Sequence, residues 1–316
     1  MSKTNFKIFA GNAHPALAKE ITDLIKMELS ALTIKKFACG EIYVNIEESV
    51  RGKEVFLIHT TRGGSVNEDY MELFLMCDAM RRSFAKKVHV VLPHFGYARQ
   101  DKLHEARETI SAKLIADLLV TSGAEHLITM HLHSDQNQAF FNVPVDNLNP
   151  RNMFAEYIQK KGIKNGVIVS PDAGGAKSAK KLADKLGFSI AILHKTRPGH
   201  NISEITHIVG DVKGKTPIIY DDMVDTAGSV CNAKEVLIRG GSNPDVYMMS
   251  THPILSDPAT ERFKKAQFKE VIFTNSIPIP EEKKFPGLKI LSIAPLLSAV
   301  MEGVIQEKSI TPLYFK

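Results

Sequence analysis

Short apolar, β-branched runs alternate with amphipathic stretches along most of this chain, and that rhythm restricts the fold more than any other feature. "EVFLIHT" (54–60), "VHVVLP" (88–93) and "HLITMHL" (126–132) read as strands, with helix-like segments at 67–84 and 110–123 between them. The second half repeats the pattern, with strands at 166–171, 189–195, 216–222 and 245–253 and helices at 175–187 and 228–241. Strands separated by crossover helices predict parallel sheets, an α/β class. Turn residues in "NLNPRN" (147–152) mark a boundary, giving halves 1–149 and 150–316.

The composition excludes several function classes. Of 316 residues, 44% are hydrophobic and 24% charged, the balance of a soluble globular protein. The N-terminus has no long apolar segment and no run is long enough to cross a bilayer, so a cytoplasmic protein without membrane contact is expected. Cys39, Cys77 and Cys231 are three in number and lack paired zinc spacing, which speaks for reduced thiols. The net charge of +5 is spread along the chain rather than gathered in a tail, which favours a pocket for anionic small molecules over nucleic acid.

"GDVKGKTPIIYDDMVDTAGSV" (210–230) offers two phosphate candidates. Gly214-Lys215-Thr216 resembles the end of a P-loop, but Gly210 is one residue too close and a strand follows, not a helix. "KGKT" therefore reads as a turn with a solvated lysine. "PDAGGAKSAKK" is another near miss, because Lys177 follows an alanine. The later segment differs. "PIIY" delivers Asp221 and Asp222 to the carboxyl edge of a parallel sheet, and Asp225-Thr226-Ala227-Gly228-Ser229 then turns into a helix. Small residues, free N–H groups and a helix dipole suit an anion, and the paired carboxylates suit ribose hydroxyls. Alone, D-T-A-G-S is equally a helix cap; the strand ending in two acids makes it specific.

"IIYDDMVDTAGS" resembles the phosphoribosyl-diphosphate (PRPP) motif shared by type I phosphoribosyltransferases and ribose-phosphate pyrophosphokinases. "VVLPHFGYARQDK" (90–102) is similar to the signature of the latter family alone, and "FACGE", "ESVRGKEV", "LHSDQNQAFFNVPVDNL", "SPDAGGAKSA", "HKTRP" and "LLSAVMEG" follow in the family's order. The resemblance implies two phosphoribosyltransferase-like domains, each a mainly parallel sheet flanked by helices, with the C-terminal tail packing back on the first. It implies transfer of the diphosphoryl group of ATP to the 1-hydroxyl of ribose 5-phosphate, giving PRPP and AMP.

By the same resemblance, 225–229 holds the sugar phosphate and Asp221 and Asp222 the ring hydroxyls. Lys195 and Arg197 are the catalytic cations on a mobile loop, Arg197 also touching ribose 5-phosphate. His133 and Asp172 are the Mg²⁺ positions; residue types alone single out only Asp172, since Mg²⁺ prefers oxygen. Phe37, Cys39, Gly40, Glu41, Arg99 and Gln100 are the ATP-contacting positions, with Phe37 stacking on adenine. Phe37 and Glu41 serve a neighbouring subunit, which implies self-association, dimers built into a hexamer. Ser49, Arg51, Arg107 and Gln138 match the site where inorganic phosphate activates and ADP inhibits. Three departures stand out. His131 replaces the family's acid in D-L-H and brings a group that titrates near neutral pH. Cys39 stands where Asp or Asn is common. Leu103 and Glu105 replace lysines, which predicts weak phosphate activation. Two other readings stay open: a non-catalytic partner of a true synthase, and a phosphoribosyltransferase.

Overall fold

The structure, a computed structural model, describes residues 3–103, 105–199 and 202–314, without the side chains of residues 4, 195–199 and 202–206. His104 lies outside the described residues. The chain divides into two units, one of Met1–Asn149, Ser276–Pro278 and Ser292–Lys316, the other of Pro150–Asn275 and Ile279–Leu291.

The first unit runs β1 (Phe6–Ala10), α1 (Pro15–Ile25), β2 (Leu32–Lys36), β3 (Ile42–Ile46), β4 (Glu54–Ile58), α2 (Val66–Arg82), β5 (Lys87–Leu92), α3 (Ser111–Ser122), β6 (His126–Met130) and β7 (Val145–Leu148). Five strands form a parallel sheet in the order β1-β4-β5-β6-β7, while β2 and β3 pair antiparallel as a separate hairpin. All five residues of β6 are buried, as a strand covered on both faces requires. The hairpin instead alternates half-buried and exposed positions along β3. Helix α1 opens on Pro15 and is capped by His14, whose Nδ1 accepts from the Leu17 amide at 3.2 Å.

The second unit runs α4 (Arg151–Lys161), β8 (Gly166–Ser170), α5 (Ala176–Leu186), β9 (Ser189–Gly199), β10 (Ile202–Val209), β11 (Thr216–Val224), α6 (Gly228–Arg239), β12 (Tyr247–Pro253), α7 (Ala259–Ala266), β13 (Glu270–Thr274) and β14 (Leu288–Leu291). Its seven strands are ordered β10-β9-β8-β11-β12-β13-β14. Only β9–β10 is antiparallel. One core face joins Val169, Ile219, Met248 and Phe273; the other joins Ile168, Ile218, Met249 and Phe154. The chain then returns to the first unit as α8 (Ala294–Ile305), which packs on α1, where Ser298 Oγ donates to the Ile21 carbonyl at 3.5 Å. Among the described residues, no helix is long and apolar enough to cross a membrane.

A polar line crosses the first sheet inside this apolar frame. Lys86 Nζ lies 2.8 Å from Glu54, and Glu54 Oε2 lies 3.1 Å from His89 Nε2. His89 Nδ1 faces His126 Nδ1 at 2.9 Å, and His126 Nε2 lies 3.0 Å from Asp146. Tyr314, near the C-terminus, donates to the other Asp146 oxygen at 2.7 Å. The two facing Nδ1 atoms share at most one hydrogen. Burial, first, and the neighbouring His126 push His89 down to about 4.

Candidate active site

In the second unit β8 is followed by β9 on one side and later by β11 on the other, so the connections diverge between β8 and β11. Such a point opens a crevice beyond the carboxyl ends of the strands. Val169 and Ile219 are register partners, and three acids lie just past them: Asp172 in the turn after β8, and Asp221 and Asp222 on the later part of β11. The Asp222 amide donates to Asp221 Oδ1 at 3.0 Å. Asp172 Oδ1 accepts from the Gly175 amide at 3.0 Å, and Ser170 Oγ donates to the Asp172 carbonyl at 2.7 Å, shaping the turn into α5. Burial raises the Asp221 carboxyl well above the usual carboxylate range, and the charges of Asp222 and Asp172 add to it. Such a cluster is relieved by a cation and by hydroxyl donors, the two things a metal-bound sugar brings.

The metal fits these residues in kind. Mg²⁺ takes oxygen ligands and keeps several waters, so a few carboxylates beside ligand phosphates suffice. No three metal-binding side chains form a ready-made cage among the described residues. Asp172 is exposed at the mouth of the β8 turn, and His133 is exposed past the end of β6 in the first unit.

The turn after β11 has the form an anion needs. Ala227 is left-handed at φ 59°, directly before Gly228 opens α6, and as the N-cap residue it has no side chain that could cap the helix. On its outer side Arg262 of α7 donates from Nη1 to the Thr226 carbonyl at 2.8 Å. A Cβ on Gly228 would sit 3.1 Å from that nitrogen, so the glycine admits the guanidinium. The amides of Ile254 and Leu255 hold the Val224 carbonyl at 3.0 and 3.1 Å. Arg262 escaped sequence reasoning because a helical arginine far along the chain carries no local signal. The lysine of "PDAGGAKSAKK" made a failed P-loop, but Asp172–Gly175 is a second strand-to-helix turn at the same sheet edge, with the Asp172 carboxylate on the Gly175 amide.

Lys195 and Arg197 fall on β9, and their side chains lie outside the described residues. Their backbone is strand rather than the loop expected. β9 pairs with β8 only as far as Ile192, but with β10 up to the Gly199–Ile202 pair. A two-stranded ribbon therefore projects past the sheet at its carboxyl edge. The β-branched partner run "ISEITHIV" explains the difference. "KGKT" is a turn: Gly214 is left-handed at φ 64°, the Lys215 amide bonds the Val212 carbonyl at 3.1 Å, and β11 follows. Lys215 Nζ lies 3.2 Å from Asp211 and 3.1 Å from Ser189 Oγ.

In the first unit the nucleotide candidates occupy two places. Phe37, Cys39, Gly40 and Glu41 form the tip of the β2–β3 hairpin, closed by the Phe37 amide on the Glu41 carbonyl at 2.8 Å. Phe37 is 52% exposed, its ring 5.9 Å from that of Tyr43. Arg99 and Gln100 are exposed on the turn after β5, where the Gln100 Oε1 accepts from Ser111 Oγ at 2.6 Å. Of the effector candidates, Arg51 stacks over Phe84 at 4.3 Å, Ser49 is exposed, Arg107 is left-handed at φ 72°, and Gln138 donates to the Asp135 carbonyl at 3.0 Å. His131 is buried and left-handed at φ 45°, its amide bonding the Leu148 carbonyl at 2.7 Å.

Comparison with known proteins places the sequence and the fold in one family. Residues 6–123 match the N-terminal domain of ribose phosphate pyrophosphokinase and residues 198–315 the phosphoribosyl synthetase-associated domain. The chain is 45% identical over 310 residues to the ribose-phosphate pyrophosphokinase of Bacillus subtilis (strain 168), covering 98% of this chain and 97% of that protein. It is 44% identical over 311 residues to that of Corynebacterium ammoniagenes, covering 98% of each. The crystal structure of phosphoribosylpyrophosphate synthetase from Mycobacterium smegmatis superposes with a TM-score of 0.90 at 43% identity, covering 96% of this chain and 99% of that one. With its sequence and its fold matched from end to end, the chain belongs to the ribose-phosphate pyrophosphokinase family.

Proposed function

We propose that this protein is an ATP-dependent ribose-phosphate diphosphokinase. The 1-hydroxyl oxygen of ribose 5-phosphate attacks the β-phosphorus of ATP. The bond from that phosphorus to the oxygen bridging the α-phosphate breaks, AMP leaves with that oxygen, and the hydroxyl proton passes to solvent. The observation that carries the reading is the left-handed turn at Ala227, opening α6 beside the Asp221–Asp222 pair, at the point where the second sheet's connections diverge.

On this reading the amides and hydroxyls of 225–229 hold the 5-phosphate, with Arg262 fixing the turn, and Asp221 and Asp222 accept from the ring hydroxyls. The Asp172–Gly175 turn cradles the diphosphoryl group as it moves. Lys195 and Arg197, on the projecting ribbon, stabilise charge on the transferring phosphorus and the bridging oxygen. Arg99 and Gln100 hold the nucleotide, with Cys39 and Gly40 offering backbone contacts. Asp172 and His133 hold Mg²⁺, which when bound neutralises the phosphate oxygens. Phe37 and Glu41, on their exposed hairpin, serve a neighbouring subunit in an assembly of dimers built into a hexamer. Ser49, Arg51, Arg107 and Gln138 take an activating phosphate, weakly, because Leu103 and Glu105 bring no positive charge. The protein works in the cytoplasm.

The test is the purified protein with Mg²⁺, ATP and ribose 5-phosphate, with AMP measured across phosphate concentrations. Stoichiometric AMP and PRPP are expected. No AMP under any condition overturns the catalytic reading in favour of a partner subunit, and base-dependent consumption of PRPP overturns it in favour of a phosphoribosyltransferase.

A further inference from the structure

The turn that presents Arg99 and Gln100 is held from beneath. Gly96 is packed so tightly that a Cβ would lie 2.6 Å from Val66 Cγ2 and 3.0 Å from Thr61 Oγ1. Tyr97 follows in the left-handed region at φ 66°, a conformation that costs a non-glycine residue of order 1 kcal/mol or more. The carbonyls on either side of it are both taken by buried side chains. Tyr70 OH donates to the Gly96 carbonyl at 2.9 Å, and Asn137 Nδ2 donates to the Ala98 carbonyl at 2.9 Å. Arg99 and Gln100 come next, exposed.

Asn137 is the unusual member of this arrangement. It is wholly buried in the short 3-10 segment Asp135–Phe140, and its Oδ1 has no hydrogen-bond partner. An orphaned buried acceptor is destabilising, and an apolar residue of the same size removes that penalty. What an apolar residue cannot do is hold the Ala98 carbonyl. The neighbouring contacts Phe95–Phe141 and Tyr70–Phe95, with ring centroids 5.4 and 6.1 Å apart, pack the turn but do not fix the direction of its peptides.

We infer that Asn137 is a positioning residue for nucleotide binding: its amide locks the strained Tyr97–Ala98 turn so that Arg99 and Gln100 point at the phosphates of the nucleoside triphosphate. This rests on the reading of Arg99 and Gln100 as nucleotide contacts.

Asn137→Leu, Arg99→Ala and the double variant test it by steady-state kinetics and thermal unfolding. In Asn137→Leu the KM for ATP rises about tenfold, while kcat and the KM for ribose 5-phosphate stay within about twofold; the unfolding midpoint falls modestly, because the buried Ala98 carbonyl loses its donor. In the Arg99→Ala background the same substitution adds little, because the group it positions is gone. A purely structural residue moves the midpoint down and leaves the KM for ATP alone, and that outcome overturns the inference. If Arg99→Ala itself leaves the KM for ATP unchanged, the nucleotide reading fails and takes the inference with it. If Arg99→Ala raises it and Asn137→Leu does not, the inference alone fails. Should Asn137→Leu not fold, Asn137→Ala, which also lacks the amide, is read in the same way.

Discussion

Two lysines in this chain look alike in sequence and differ in consequence. Lys215 belongs to a glycine-lysine-threonine string, yet it sits in a turn, 21% exposed rather than solvated, paired with Asp211, which is 66% exposed, and a pair with one partner in solvent contributes little. Lys215→Ala should leave kcat and both KM values within about twofold, and a larger loss in a steady-state assay restores the P-loop reading. Lys195 lies on the projecting ribbon. Lys195→Ala should lower kcat roughly 10²–10³-fold, with ribose 5-phosphate affinity in a direct titration nearly unchanged. The acids and small residues of 221–229 were readable because their chemistry is contiguous in sequence. Arg262 and Asn137 were not, since each acts on a carbonyl 36 or 39 residues away.

Among the elements, the β11–α6 connection carries the clearest mechanical requirement. Ala227 tolerates φ 59° at moderate cost, a glycine would tolerate it freely, and a β-branched residue would not. Ala227→Gly should therefore bind ribose 5-phosphate within about twofold of the parent, whereas Ala227→Val should raise its KM about tenfold or more. The KM for ATP should hold in both, and a Val variant that binds the sugar normally refutes the cradle. The alternation of apolar runs and amphipathic stretches located the central strands to within a few residues, because fully buried parallel strands have little freedom in composition. The same rule ended β9 four residues short and missed β10 and the β2–β3 hairpin. Hairpins with one or both faces in solvent carry polar and charged residues, and pairing between strands leaves a weaker trace than burial.

At the scale of the whole molecule, the buried line from Glu54 to Asp146 links stability to pH. His89 is held near 4 when folded and returns toward about 6.5 when unfolded. Its folded value is depressed, so the unfolded chain binds the extra proton between those limits. Stability is present above about pH 6.5 and is lost as pH falls toward 4. The loss from this group between pH 7 and pH 5 is about 2 kcal/mol. Urea unfolding at the two pH values, with His89→Gln as comparison, measures it; an equal slope in the variant refutes the assignment.

The division of the chain also bears on how it is made. The first unit includes α8 and the segment ending at Tyr314, whereas the second is finished by Leu291. On a ribosome, the strands β1 to β7 emerge first but wait for residues translated after Leu291. The second unit has all its strands before α8 leaves the exit tunnel. This reverses the usual order in which the amino-terminal domain matures first. A chain truncated after Leu291 should bind ribose 5-phosphate while its first sheet remains open to protease.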